Sequence, residues 1–485
     1  MANTNINTNI NTNINTNILT GDLKIINFGL KSFTDAFKGR SNVSWAHVDF
    51  KPPLISDPAL FKIIDEKREL IESANQEVVK RISSGRPFLV AAARAIDAIP
   101  GMQANTILHA GPPVEWSKMC GPMRGAVIGA MLYEKMARTP EEAEILASKG
   151  SVKFSPCHEH KAVGPMAGII SPSMPVFIIK NEEYGNYAYA TMNEGLGKVL
   201  RYGAYDESVL ERLNWMEKTL FPVMKRTIEA MSGKIDLKNI ISQALHMGDE
   251  VHNRNRAATS LFYRQLAPII CKVSNAEDAF QVLNFINGND HFFLNLSMAA
   301  AKATLDAASD VKYSSIVTIM ARNGTEFGIK VSGIGSGSEK NWFTGEAPIP
   351  DALFFPGYSR EDANPDIGDS AITETLGVGG FAMASAPSIV QFVGGKVADA
   401  LKYTLSMYEI TASENSAFQI PYLNFRGAPM GIDLIKVIEK NILPVINTGV
   451  AHRLPGIGQV GAGVLNAPTE PFKKAFIKFV EVISE

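Results

Sequence analysis

The sequence predicts a multi-domain α/β protein, with a Rossmann-like N-terminal α/β layer, a central helical domain and a C-terminal mixed α/β domain. Three observations carry this. Strand and helix signals alternate from Leu23 to Ala93, helical periodicity dominates residues 191–310, and strand and turn signals return from residue 311.

Residues 3–18 repeat Asn-Thr-Asn-Ile four times. Such a segment has nothing with which to build a core, so residues 1–20 are expected to form a disordered tail. The Rossmann-like layer is placed at 21–115. Lys24–Gly29 reads as a strand, Phe33–Phe37 as a short helix and Val43–Phe50 as a second strand closed by Pro52-Pro53. Phe61–Ile82 has helical periodicity, and Pro87–Ala93 reads as a buried strand. Gly29 stands alone after the first strand. Without the G-x-G-x-x-G spacing, no dinucleotide cofactor is expected there.

Residues 116–190 form an α/β segment. Its predicted helix, Glu115–Arg138, carries Gly121, Gly125 and Gly129 in a drifting row that lets another backbone come close. Residues 191–310 read as helices near 194–202, 206–231, 235–266, 276–287 and 293–309. In the mixed domain, 311–485, Ile316–Ala321 and Phe327–Val331 flank Asn323-Gly324, a hairpin signal, and Leu443–Val450 reads as a buried strand.

Among the 485 residues, 46% are hydrophobic and 20% charged, a globular balance with material for about three domains. Lys and Arg number 47 against 49 Asp and Glu, a net charge of −2, which supplies no overall pull toward nucleic acid or an anionic membrane. Cys120, Cys157 and Cys271 are odd in number and lack C-x-x-C spacing, which fits a reducing cytoplasm rather than a disulfide framework. The apolar run Gly377–Val393 is broken by Pro387 and Gln391 and falls short of a membrane span, and no secretory signal is visible.

The densest polar cluster is Ser155-Pro156-Cys157-His158-Glu159-His160. If it is extended, His158 and His160 share one face and Cys157 and Glu159 the other. Two imidazoles could hold a metal, although no third ligand is fixed by local spacing, or one could act as a general base oriented by Glu159. No bound metal is expected. A second cluster runs from His246 to Asn255. On a helix, Ile241, Ala244, Leu245, Gly248 and Val251 make an apolar stripe, His246 and Glu250 lie on the solvated side, and Asp249 and His252 pair three apart at the border. Asn255 falls on the stripe, so either it has a buried partner or the helix ends sooner.

Further candidates sit at element ends. Arg322 could hold a carboxylate or phosphate with its planar fork. Asp369, Ser370, Thr373 and Glu374 open a glycine-dense stretch, Gly368–Gly380, whose N–H groups could cradle an anion, while Asp369-Ser370 alternatively cap a helix. Asn447-Thr448 end a strand, and His109 follows another.

At these clusters the sequence resembles the YlbE-like family, which supplies the AllG-type subunit of oxamate carbamoyltransferase. The runs that carry the resemblance are Thr106–Pro113, Phe154–His160, Ala244–Glu250 with His252–Asn255, Met320–Gly324, Asp366–Thr375 and Leu443–Thr448, in order from about Ile25 to the C-terminus. The resemblance implies an enzyme moving a carbamoyl group between carbamoyl phosphate and oxamate or oxalurate. It also implies work beside FdrA-like (AllF) and AllH-type subunits, with self-association into a homo-oligomer a further expectation. Oxamate's amide nitrogen is a weak nucleophile, so a base and anion donors are needed. The catalytic candidates are His158, Glu159, His160, Asp249 and His252. The substrate-binding candidates are His109, Arg254, Arg322, Asn323, Asp369, Ser370, Thr373, Glu374, Asn447 and Thr448, with Arg322 on the substrate carboxylate and the Gly368–Gly380 loop on phosphate. Two other classes fit the same residues: a metal-assisted amidohydrolase using His158 and His160, and a non-catalytic assembly subunit.

Overall fold

The computed structural model describes residues 23–48, 51–335 and 341–485. The Asn-Thr-Asn-Ile repeat and the end of the second predicted strand lie outside the described residues. The chain divides into two compact units, Met1–Pro53 and Leu54–Glu485.

In the first unit, strand β1 (Leu23–Phe28) pairs in parallel with β2 (Val43–Val48), in register from Leu23 opposite Val43 to Phe28 opposite Val48. A 3-10 helix, Lys31–Phe37, makes the crossover where a short helix is expected.

The second unit opens with two helices rather than one, Pro58–Glu66 and Arg68–Ser84. Asp57 caps the first through the Ala59 amide, with Pro58 in the first turn, where a missing N–H costs nothing. Then follow β3 (Pro87–Arg94), β4 (Thr106–His109), β5 (Lys153–Pro156), β6 (Pro175–Asn181), β7 (Tyr187–Thr191) and β8 (Ile235–Asp236). The first four-stranded sheet has the order β7-β6-β3-β8, and β3 runs antiparallel to both its neighbours. The predicted strand at 87–93 is therefore present but does not extend a parallel, Rossmann-like layer. A short, wholly apolar run reads alike in parallel and antiparallel sheets, and only the partner decides between them.

Helices cover this sheet, among them Phe221–Ala230, Leu237–His246, Arg256–Val273, Ala276–Asn287 and Leu294–Asp306. They share a core with it in which Leu89, Phe177, Phe262, Phe292 and Leu296 are fully buried. The predicted helix at 194–202 is instead a loop ending in a short 3-10 turn, Leu200–Tyr202. Helix Gly121–Tyr133 shows why its glycines matter. A Cβ on Gly125 would collide with the Gly203 carbonyl and one on Gly121 with the Arg453 carbonyl, so this helix is packed backbone to backbone.

The last third supplies β9 (Val317–Asn323), β10 (Glu326–Val331), β11 (Phe343–Glu346), β12 (Asp351–Phe354), β13 (Ile367–Gly368), β14 (Thr411–Ile420), β15 (Arg426–Ile432), β16 (Val445–Ala451) and β17 (Gln459–Asn466). The predicted hairpin is β9–β10, and its sheet has the order β11-β10-β9-β13. Strands β12, β17 and β16 form a second sheet, β14 and β15 a third, and β4 with β5 a short parallel pair. Among the described residues, no helix is long and apolar enough to cross a membrane.

Candidate functional site

One buried segment, Asp366–Glu374, delivers three carboxylates to three different partners. Asp366 meets Arg322, Asp369 faces His158, and Glu374 holds His252. The short strand β13, a 3-10 turn at Asp369–Ala371 and the short helix Ile372–Leu376 build the segment. Gly368, at φ +129, turns the chain there, and a Cβ on it would press on the Met166 backbone.

Arg322 is fully buried. Its Nε and Nη2 donate to the two Asp366 carboxylate oxygens at 2.5 and 3.1 Å, Nη1 donates to the Gly368 carbonyl, and Nη2 also reaches Thr448 Oγ1. Thr448 in turn donates to Asp366. The fork expected to greet a substrate carboxylate is thus filled by one of the protein's own. Such a pair persists in a dry interior only because charge and donors are matched on both sides.

Asp369 does not cap a helix. Its oxygens accept from the Gly111 and Gly164 amides at 2.8 and 3.0 Å, and His158 Nε2 lies 3.4 Å away. Burial pushes the Asp369 carboxyl up to about 7, against those amides and the charge of Arg322. Burial, with Lys302 and Lys330 nearby, holds the His158 imidazole well below its ordinary value. The contact therefore joins a neutral ring to an acid near its midpoint at neutral pH, and neither ring nitrogen of His158 makes a hydrogen bond. Cys157 adjoins them, its thiol donating to the Gly168 carbonyl and raised well above its ordinary value by burial.

The Cys157–His160 run is a 3-10 turn, not a strand, so its two histidines do not share a face. His160 turns away to the Pro100 carbonyl at 2.7 Å and the Ser155 hydroxyl at 2.9 Å. Glu159 accepts from Lys330 Nζ at 2.7 Å and Trp342 Nε1 at 2.8 Å rather than orienting a histidine.

The second predicted cluster is reshaped more deeply. Its helix stops at His246, and residues 248–255 form a buried loop in which Gly248 and Val251 have φ of +89 and +66. Glu250, expected on a solvated face, is fully buried and accepts from the His252 and Arg254 amides. Burial raises its carboxyl to about 8, with Glu374 and Asp249 adding repulsion. Asp249 accepts from the Ala258 amide and is raised by burial to about 7, while Arg254 lies 3.5 Å from it and donates to the Gly248 carbonyl. The helix thus ends sooner than the stripe through Asn255 assumes; in the loop the Asn255 amide donates to the His252 carbonyl, while its Oδ1 is buried without a partner.

His252 does not pair with Asp249. Its Nδ1 lies 2.7 Å from Glu374 Oε1, which also accepts from the Gly380 amide at 2.8 Å, while Thr373 Oγ1 lies 3.0 Å from Glu374 Oε2. A carboxylate on Nδ1 places the ring proton there and leaves the lone pair on Nε2, the tautomer a general base requires.

The glycine stretch following Glu374 is not an open cradle. The Gly377 and Val378 amides donate to the Thr373 carbonyl, Gly379 to Glu250 and Gly380 to Glu374. Fully buried N–H groups must find internal partners, and these have done so.

The remaining candidates sit at the margins. Asn323 stabilises the hairpin turn by accepting from the Thr325 and Glu326 amides. His109 gives its Nδ1 to the Ala110 carbonyl, is depressed by burial to about 4, and lines an 880 Å³ surface cavity with Trp116, Phe154 and Lys118. Ser370 is buried and its carbonyl accepts from Thr373. Asn447 is fully buried, and both of its amide atoms lack a partner. Among the described residues, no group of three or more His, Cys, Asp or Glu side chains is arranged to hold a metal ion.

Sequence reasoning passed over Arg201 and His291. Both are more than nine-tenths buried, and His291 Nδ1 has no partner. The only local signal is a histidine directly after the Asn287-Gly288-Asn289-Asp290 turn.

The chain has relatives among known proteins. A family model described as oxamate carbamoyltransferase subunit AllG matches residues 152–370. The chain is 45% identical over 414 residues to the oxamate carbamoyltransferase subunit AllG of Escherichia coli (strain K12), covering 85% of this chain and 98% of that protein. It is also 45% identical over 465 residues to the uncharacterized protein YahG of the same strain, covering 95% and 97%. The crystal structure of a conserved protein of unknown function from Enterococcus faecalis V583 superposes with a TM-score of 0.84 at 50% identity, covering 86% of this chain and 99% of that one. The chain belongs to the AllG family.

Proposed function

We propose that this protein is a subunit of an oxamate carbamoyltransferase, moving a carbamoyl group between carbamoyl phosphate and oxamate or oxalurate in ureide-type nitrogen catabolism. The observation that carries the reading is the 45% identity across 98% of the E. coli subunit. The buried His252–Glu374 pair supplies chemistry suited to it.

In the synthetic direction, oxamate's amide nitrogen attacks the carbamoyl carbon and the bond from that carbon to the phosphate oxygen breaks. His252 Nε2 takes the amide proton while Glu374 steadies the imidazolium, and the proton leaves with phosphate. General-base help of this kind is worth roughly 10²–10⁴-fold. Asp369 and His158, each near or in its neutral form, offer a donor and an acceptor for the second substrate. Arg322, filled by Asp366, acts as the tie that fixes the carboxylate-bearing segment. FdrA-like and AllH-type subunits complete the enzyme in this reading.

The test is to combine the chain with those subunits, oxamate and carbamoyl phosphate, and to measure oxalurate and phosphate. Equimolar appearance of both, dependent on this chain, supports the proposal. Oxalurate forming equally well without this chain would discard a catalytic share and leave an assembly role.

A further inference from the structure

Resting on that reading, we propose that Arg201, Asn253 and His291 form the receptor for a small substrate that carries a carboxylate beside a primary amide. Asn253 directly follows His252 in the chain.

Arg201 is 6% exposed, and its guanidinium has no carboxylate within salt-bridge distance among the described residues, although its charge acts on the nearby Glu194 carboxylate and it stacks over the Tyr202 ring at 4.9 Å. Nε and Nη2 both donate to a single oxygen, the Gly195 carbonyl, at 2.9 and 2.6 Å, and Nη1 has no hydrogen-bond partner among the described residues. A guanidinium matches a carboxylate with two parallel N–H groups, so one neutral carbonyl leaves most of this fork's capacity unused. Arg322 makes the contrast, because its fork is saturated by Asp366.

Two buried polar atoms lack partners nearby. They are Asn253 Nδ2, a donor next to His252 in the chain, and His291 Nδ1. A chain of amides joins these parts. Asn289 accepts from the His291 backbone amide at 3.1 Å and donates to the Asn193 carbonyl at 3.0 Å. Asn193 donates to Asn295 at 2.7 Å, and Asn295 and Arg201 line one small cavity. Burial lowers the His291 imidazole to about 3, helped by the charge of Arg201 and then His252 and opposed by the Asn253 backbone. A neutral ring offers one lone pair. Left unmet, such buried groups are costly, so the two together point to a ligand that meets them.

The pattern is specific. Arg201 and Asn253 donate, as a carboxylate requires, and His291 accepts, as an amide N–H requires. Glu194 lines both the small cavity and an open cleft of 660 Å³ that also contains Gly195, Arg212 and Trp215. The segment between them turns on Gly195 and Gly197, at φ +98 and +86. An incoming carboxylate would take the place of the Gly195 carbonyl on the Arg201 fork, which moves that segment and makes room.

Titration calorimetry of the full chain, alone and with its partner subunits, should use oxamate, oxalate and acetamide as probes. Oxamate is expected to bind best and acetamide not at all. Arg201→Met and Asn253→Asp should each weaken oxamate at least about tenfold, and His291→Phe should erase the preference for oxamate over oxalate. Arg201→Lys, which keeps the charge, covers the case in which Arg201→Met fails to fold. Acetamide binding as well as oxamate, no binding of any probe, or wild-type affinity in the folded Arg201 and Asn253 variants would each overturn the proposal. If these probes bind as expected but carbamoyl phosphate yields no oxalurate, the receptor stands and the reaction falls. If oxalurate forms while Arg201→Lys and Asn253→Asp leave KM for oxamate unchanged, the receptor falls and the reaction stands.

Discussion

His252 and Glu374 lie 122 positions apart in the chain, and their side chains meet at 2.7 Å in a site with almost no solvent access. The carboxylate that orients this histidine comes from a different element, not from the neighbouring Asp249. Glu374→Gln keeps the shape of the pair while removing the charge that stabilises an imidazolium. The expected result is a fall in kcat of roughly 10²-fold or more with KM changed little, measured on the reconstituted enzyme. An unchanged kcat in folded Glu374→Gln would show that the pair is structural.

The Arg322–Asp366 pair predicts an effect on stability. Asp366→Asn leaves a buried guanidinium uncompensated, which costs about 3–5 kcal/mol, as measured by urea unfolding. Replacing both residues together, Arg322→Met with Asp366→Leu, should cost clearly less than the sum of the single changes. Additivity of the two would contradict a coupled buried pair.

These two pairs also mark how far the sequence could be read. The β9–β10 hairpin was legible because Asn323-Gly324 is a local signal and its turn closes within a few residues. The loop at 248–255 was less so. Asp249 and His252 are three apart and look like partners on a helix, but Gly248 and Val251 adopt left-handed backbone that ends it. Once the helix ends, Glu250 turns inward and His252 finds Glu374. Each such partner is set by tertiary contact, which no spacing rule contains. Arg322 and Asp369 stood out by residue type, whereas their burial against Asp366 and His158 was not legible. The Rossmann-like layer was over-read for the same reason, because β3 is a convincing strand whose neighbours, β6 and β8, lie far along the chain.

Glu250 predicts a pH dependence. Its carboxyl is held up to about 8 in the folded chain, against an ordinary value near 4.5. Between those values the native state keeps a proton that the unfolded chain has lost. Stability from this group is therefore full below about pH 4.5 and is lost as pH rises through about 8, on the order of a few kcal/mol. Asp249 and Asp369, both raised to about 7, act in the same direction. Melting temperature should fall from pH 6 to pH 8.5, and Glu250→Gln, which cannot ionise, should flatten that slope. An equal slope in the variant would place the titration elsewhere.

Gly125 tests the packing of helix Gly121–Tyr133. Gly125→Ala would normally favour a helix by about 0.5–1 kcal/mol, but here the added methyl meets the Gly203 carbonyl. Close backbone packing should win, giving a net destabilisation of about 1–3 kcal/mol in chemical unfolding. A stabilised variant would mean that the neighbouring 199–205 segment yields.

The three candidate catalytic histidines, His158, His160 and His252, separate by geometry, and turnover should follow. His252→Ala removes the ring that Glu374 orients and should cost roughly 10²–10⁴-fold in kcat. His158→Ala removes the ring that faces Asp369, and its effect should appear with Asp369→Asn as less than additive, because each group loses the same contact. His160 is hydrogen-bonded to the Pro100 carbonyl and Ser155 hydroxyl and faces neither carboxylate. His160→Ala should cost about 1 kcal/mol of stability and leave turnover within a few-fold of the parent. The ordering His252 first, His158 second and His160 last is the outcome to check with purified, folded variants in one assay. A collapse of activity in His160→Ala with the other two near normal would reverse the roles of the two imidazoles in the Cys157–His160 turn and remove the Asp366–Glu374 segment from the chemistry.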